Sequence, residues 1–71
     1  MILNNRIKQA RAYQDLTQAA LAERVGVSRK TINTVENAVF IPSVMLALNI
    51  ARELNTTVDA LFFLKPEETG P

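Results

Sequence analysis

At 71 residues, with a formal net charge of +1 and neither cysteine nor histidine, the chain has the size of one domain, and a domain this small removes only about 60% of its unfolded surface from water. Thiol redox chemistry, disulfides, the usual zinc ligand sets and an imidazole base are excluded, so packing alone must hold the fold and dimerisation would help it. The longest apolar stretches fall well short of the roughly 18–20 residues of a membrane span, and "MILNNRIKQA" has polar residues where a secretory signal has its apolar centre, so a cytoplasmic protein without membrane contact is expected.

Apolar residues recur at spacings of three and four, with no sustained two-residue alternation of β-branched residues, which predicts an all-α fold of five helices. The first helix is expected from Asn4 or Asn5 to Tyr13, where "DLT" breaks it and offers Thr17 as cap of the second, Gln18 to Val25. Gly26 ends that helix, since glycine takes the left-handed conformation without steric penalty. Ser28 caps the third helix, Arg29 to Glu36. Pro42 disfavours a helical Ile41, and Ser43 caps a fourth helix from Val44 to Leu54. Thr57 caps a short fifth helix running through "VDALFF". Residues 1–64 are read as the domain and 65–71, "KPEETGP", as a frayed tail with nothing to bury. There is no internal repeat.

Charge is unevenly spread. Residues 1–37 hold six Lys and Arg against three carboxylates, and residues 38–71 hold two against four. The imbalance is small enough to be scatter, or it marks the first half as the side that meets a polyanion.

The third helix is more informative. Advancing about 100° per residue from Arg29, Asn33 falls near 40°, Asn37 near 80°, Lys30 near 100° and Thr34 near 140°, while Val35 and Ile32 fall on the opposite side. Any surface helix divides into an apolar and a polar side. A merely solvated side, however, mixes Glu with Lys, whereas this arc holds no carboxylate and Glu36 lies just beyond its edge. Arg and Lys donate to O6 and N7 of guanine, Asn pairs with N6 and N7 of adenine, and Thr offers a hydroxyl and a methyl. At the start of the second helix, Gln18 and the free backbone N–H groups form a seat for a phosphate oxygen. The abrupt corner at Gly26 would then fix one helix across the DNA backbone while its partner lies in the major groove.

"LTQAALAERVGVSRKTINTVEN" resembles the helix-turn-helix of the phage-repressor and Cro-like, or xenobiotic-response-element, family of transcriptional regulators, and the likeness continues through "IPSVMLALNIARELNTTVDALF". The segments "LTQ", "LA", "VGVS", "TI" and "EN" and the proline before the fourth helix all fall at family spacing. The resemblance implies a lambda-repressor-like DNA-binding domain in which Gln18 touches phosphate, Arg29, Lys30, Asn33 and Thr34 contact bases, and Asn37 meets the backbone. Ser28, at the cap of the recognition helix, is counted with the DNA-facing residues. It also implies a partly buried ion pair between Arg11 and Glu36, the alternative being two independent surface charges. Most members carry glycine where this chain has Asp15 and Ala38. Aspartate tolerates the left-handed conformation better than most residues and alanine does not, so either Ala38 is strained by about 1 kcal/mol or the loop "AVFI" takes another path.

The fourth helix is apolar over a wide arc that includes Val44, Leu46, Ala47, Leu48, Ile50, Ala51 and Leu54, and reads as the central strut of the core; Met45 is an apolar residue on its polar side. On the fifth helix Val58, Leu61 and Phe62 are expected to face inward. Phe63 and Leu64 then either fold back on their own core or, with Met45, form a two-fold dimer contact.

The expected function is sequence-specific binding of a double-stranded DNA operator, most simply as a homodimeric repressor on a palindrome, with no cofactor, no metal and no small-molecule ligand. The alternative is an antitoxin or adaptor whose main contact is a partner protein. An enzyme is not expected, because no set of residues suits catalysis.

Overall fold

The computed structural model describes residues 1–67. Its elements run β1 (Ile2–Asn5), α1 (Ile7–Tyr13), α2 (Gln18–Val25), α3 (Arg29–Glu36), α4 (Val44–Glu53), α5 (Val58–Leu61) and β2 (Phe62–Lys65). The five helices carry the all-α architecture, to which β1 and β2 add a two-stranded antiparallel ribbon.

Four helices begin on the hydroxyl caps expected of them. Thr17 accepts from Ala20 N–H, Ser28 from Thr31 N–H, Ser43 from Leu46 N–H and Thr57 from Ala60 N–H, each satisfying one of the orphan donors of a first turn. The ends are equally regular. Asp15, Ala38 and Asn55 have φ of 58°, 60° and 55°. In each case the next residue's N–H reaches back five positions, Leu16 to Arg11 O, Val39 to Thr34 O and Thr56 to Ala51 O. These are Schellman endings, which put one residue in the left-handed region. Ala38 is therefore strained rather than rerouted. Gly26, at φ 85°, closes α2 without that cost.

Every helix sends a side chain into one core: Ile7 from α1, Leu21 from α2, Ile32 and Val35 from α3, Ile50 from α4 and Leu61 from α5, all essentially inaccessible. Full burial of each contributes about 1.5–3 kcal/mol, and the ring of contacts fixes α3 by its apolar side with its polar side outward.

The structure departs from the sequence expectations at both ends of the domain. The first helix starts at Ile7, not at Asn4 or Asn5. Asn4 accepts from Asn5 N–H through Oδ1, and Asn5 Oδ1 accepts from Ile7 N–H, local bonds that hold asparagine outside a helix. The fifth helix stops at Leu61, after which Phe62 to Lys65 pair with Ile2 to Asn5. Arg6 N–H donates to Leu61 O at 2.8 Å and continues that ladder. Lys65, assigned to the tail, is thus held opposite Ile2; residues 68–71 of the expected tail lie outside the described residues.

The core is also narrower than the apolar arc of α4. Ala47, Ile50, Ala51 and Leu54 are buried, but Val44 and Leu48 are exposed, because no element among the described residues packs over the outer flank of the first two turns.

Candidate nucleic-acid interface

The corner between α2 and α3 follows from Gly26 and Ser28. Gly26 lets the chain reverse hand in one residue, and Ser28, in extended backbone at φ −75° and ψ 156°, starts the next helix two residues later. Its hydroxyl accepts from Thr31 N–H at 3.1 Å and lies 3.0 Å from the Thr31 hydroxyl. Ser28 thereby orients α3.

The corner brings Gln18, the first residue of α2, beside Arg29, Lys30 and Asn33 of α3. Together these four side chains line an open hollow of about 420 Å³. No carboxylate lines it, and neither Arg29 nor Lys30 has an ion-pair partner among the described residues. The nearest acid in sequence, Glu36, is turned away and matched. Arg11 donates to it from Nε at 2.6 Å and from Nη2 at 3.0 Å, and both side chains are largely buried. The remaining Arg11 donor, Nη1, reaches Leu16 O at 2.9 Å. The hollow therefore presents positive charge and amide groups, with the Glu36 carboxylate neutralised by Arg11.

Three further bonds order this surface. Gln18 Nε2 donates to Glu36 Oε1 at 3.2 Å, which ties the start of α2 to the end of α3. Asn37, the cap residue of α3, donates from Nδ2 to Asn33 Oδ1 at 3.3 Å, so Asn33 is steadied while its own amide N–H groups remain available. The Thr34 hydroxyl donates toward the carbonyls of Lys30 and Thr31, each at 3.0 Å. Thr34 consequently offers its methyl and an acceptor lone pair outward rather than a free donor.

Two contributors were not singled out in the sequence. Asn5 donates from Nδ2 to Val35 O at 2.9 Å while capping Ile7 N–H, and so pins α3 from behind. An asparagine just ahead of an apolar helical run is a readable cap signal; its long-range bond to α3 is not. The tether from Gln18 to Glu36 likewise joins residues distant in sequence.

The three residues expected at a dimer contact are not on one surface. Leu64 and Met45 are exposed. Phe63 is half-buried, with the Arg6 guanidinium 4.2 Å from its ring centroid. It stands opposite Asn4 in the ribbon while Leu64 stands opposite Leu3, so the two side chains leave opposite faces of the ribbon.

Comparison with known proteins agrees with this geometry. A family model described as helix-turn-helix matches residues 7–61. A protein of Archaeoglobus fulgidus is 42% identical over 66 residues, covering 93% of both chains. The Bacillus subtilis protein YgzD is 34% identical over 65 residues, covering 92% of this chain and 98% of its own. Both are named uncharacterized HTH-type transcriptional regulators. Among solved structures, the DNA-binding domain of the P22 C2 repressor superposes with a TM-score of 0.71 at 30% identity, covering 75% of this chain and 70% of that one. With residues 7–61 and nearly the whole length of such relatives matched, the chain belongs to the phage-repressor and Cro-like helix-turn-helix family of DNA-binding transcriptional regulators.

Proposed function

We propose that the protein is a repressor that binds a palindromic operator as a homodimer, with α3 in the major groove, and that it uses no cofactor and performs no chemistry. The observation that carries this reading is the hollow where Gln18 meets Arg29, Lys30 and Asn33 with no carboxylate among them. Phosphate contacts set position and base contacts set sequence, and the two kinds of group stand on the two helices of one corner. In this reading Gln18 and the first N–H groups of α2 grip a phosphate oxygen. Arg29 and Lys30 read guanine, Asn33 reads adenine, and the Thr34 methyl lies against thymine. Ser28 and Asn37 flank these and meet the sugar–phosphate wall.

A single domain of this kind binds weakly, whereas a two-fold pair of recognition helices meets half-sites roughly 34–36 Å apart, one turn of duplex. The repressor role takes support from the P22 C2 repressor, whose name states that activity. Titrating the purified chain into a labelled duplex carrying its own promoter, at low salt, tests the reading. A shift that withstands excess unrelated duplex is expected, and equal competition by any DNA would contradict it.

A further inference from the structure

Asn33 and Asn37 stand one helical turn apart on the exposed side of α3, and Asn37 Nδ2 donates to Asn33 Oδ1 at 3.3 Å. Of the two, only Asn33 lines the hollow. An amide reads a base edge in one order of its two ends. With its oxygen facing N6–H of adenine and its nitrogen facing N7 it makes two bonds; turned over, it sets donor against donor and acceptor against acceptor. An isolated asparagine has both orders open. Here Asn37 takes one of the two lone pairs on Asn33 Oδ1, which leaves the other lone pair and both N–H groups, the set that adenine requires.

Asn37 is itself held. Its backbone N–H donates to Asn33 O at 3.0 Å, and the N–H groups of Ala38, Val39 and Phe40 turn back onto Val35 O and Thr34 O at 3.0, 3.0 and 3.2 Å. Ending the helix in this way fixes the backbone from which the Asn37 amide projects, so that amide can position a neighbour rather than follow it. Gln18 is treated alike: it lines the hollow, and its amide donates at 3.2 Å to Glu36, which does not. Both amides of the hollow are thus held by a side chain at the C-terminal end of α3.

We propose that Asn37 is a positioning residue for base recognition: by holding Oδ1 of Asn33 it fixes the order of donor and acceptor that α3 presents, and so sets the base preference at the position Asn33 meets. This assignment rests on the reading of α3 as the helix in the major groove. It gives Asn37 a part in specificity, which a contact with the sugar–phosphate wall does not carry. In the free chain the bond is exposed and competes with water. The groove removes that competition and strengthens it. The order of the Asn33 amide is then chosen before the base is met, which lowers the cost of ordering it on binding.

The probes are a duplex that the wild-type chain selects from a random pool and its derivatives, each changed at one base pair. Discrimination is the ratio of affinities for parent and derivative measured with one protein preparation, so any loss of folded protein in a variant cancels. Asn33→Ala locates the position that Asn33 reads, where the wild-type preference is expected to be on the order of 10- to 100-fold. Asn37→Ala should cut that preference roughly tenfold and leave the ratios at other positions as they are. Asn37→Asp keeps the shape but can only accept, which turns the Asn33 amide over, and should abolish the same preference. Its added charge repels every duplex alike and drops out of the ratio. In the Asn33→Ala background, Asn37→Ala should change no ratio, because a positioning residue acts only through the residue it positions. A uniform loss of affinity in Asn37→Ala with every ratio kept would overturn the proposal, and so would a preference preserved in Asn37→Asp. Both results leave the groove reading of Asn33 standing, whereas unchanged ratios in Asn33→Ala would remove that reading and the proposal with it.

Discussion

Gln18 donates its amide to Glu36 at 3.2 Å across the corner of the helix-turn-helix, while Arg11 holds the same carboxylate from the other side at 2.6 Å. The first residue of α2 and the last of α3 are thereby locked to α1. Three donors converge on Glu36, and truncating it leaves a largely buried guanidinium with only the Leu16 carbonyl. Glu36→Ala should lose about 3–5 kcal/mol of stability in urea unfolding, the cost of an uncompensated buried charge. A loss below about 1 kcal/mol would mean that the pair behaves as exposed charges do.

Gln18 and Arg29 line the same hollow, yet their removal should read differently. Arg29→Ala should cost about 1–3 kcal/mol on the operator and less on unrelated duplex, whereas Gln18→Ala should weaken all sequences alike. Fluorescence anisotropy against both duplexes separates the two. Salt titration adds a second axis, because each phosphate neutralised contributes about −0.9 to the slope of log K against log salt. An equal loss across sequences for Arg29→Ala would assign it to phosphate.

Ala38 sits at φ 60° in the Schellman ending of α3, a conformation costing a side-chain-bearing residue about 1–2 kcal/mol. Ala38→Gly relieves it, less about 0.4–1 kcal/mol for the greater freedom of glycine in the unfolded chain. The net gain should be about 0.5–1 kcal/mol, and about 4–8 °C in Tm accompanies each kcal/mol in a domain this size. Gly26→Ala should lose about 1 kcal/mol by the same argument reversed. A Cβ there meets nothing within 4 Å, so that loss reports backbone strain and not a clash.

Asn5 joins three parts of the fold, accepting from Ile7 N–H and donating to Val35 O. Asn5→Ala removes a cap and one of the two donors to the Val35 carbonyl, which keeps the Ala38 N–H at 3.0 Å, and should cost about 1 kcal/mol. Chemical denaturation of the variant checks this, and an unchanged midpoint would show that water replaces both bonds.

What was legible in the sequence was local. The caps Thr17, Ser28, Ser43 and Thr57 each bond within three residues, and the polar arc of α3 follows from helical spacing alone. The ribbon is not legible, because each strand is four residues long, too short for a period to emerge, and Ile2 pairs with Lys65 from the far end of the domain. For the same reason the contact between Arg11 and Glu36 came from family resemblance and not from spacing. Apolarity places Val44 and Leu48 in the core together with Ile50, but it does not say which flank of a wide arc has a neighbour, and here one flank is left exposed among the described residues.

The central claim is that the exposed side of α3 reads base edges, and a loss-of-contact measurement tests it most directly. Wild-type protein and Asn33→Ala are titrated against the operator and a set of duplexes, each changed at one base pair. For the wild type, each contacted pair should cost about 1–3 kcal/mol when changed. For Asn33→Ala that cost should vanish at one symmetric pair of positions and persist at the others. If the variant instead loses affinity uniformly and keeps the full wild-type pattern of discrimination, Asn33 does not read bases and α3 does not lie in the groove as described.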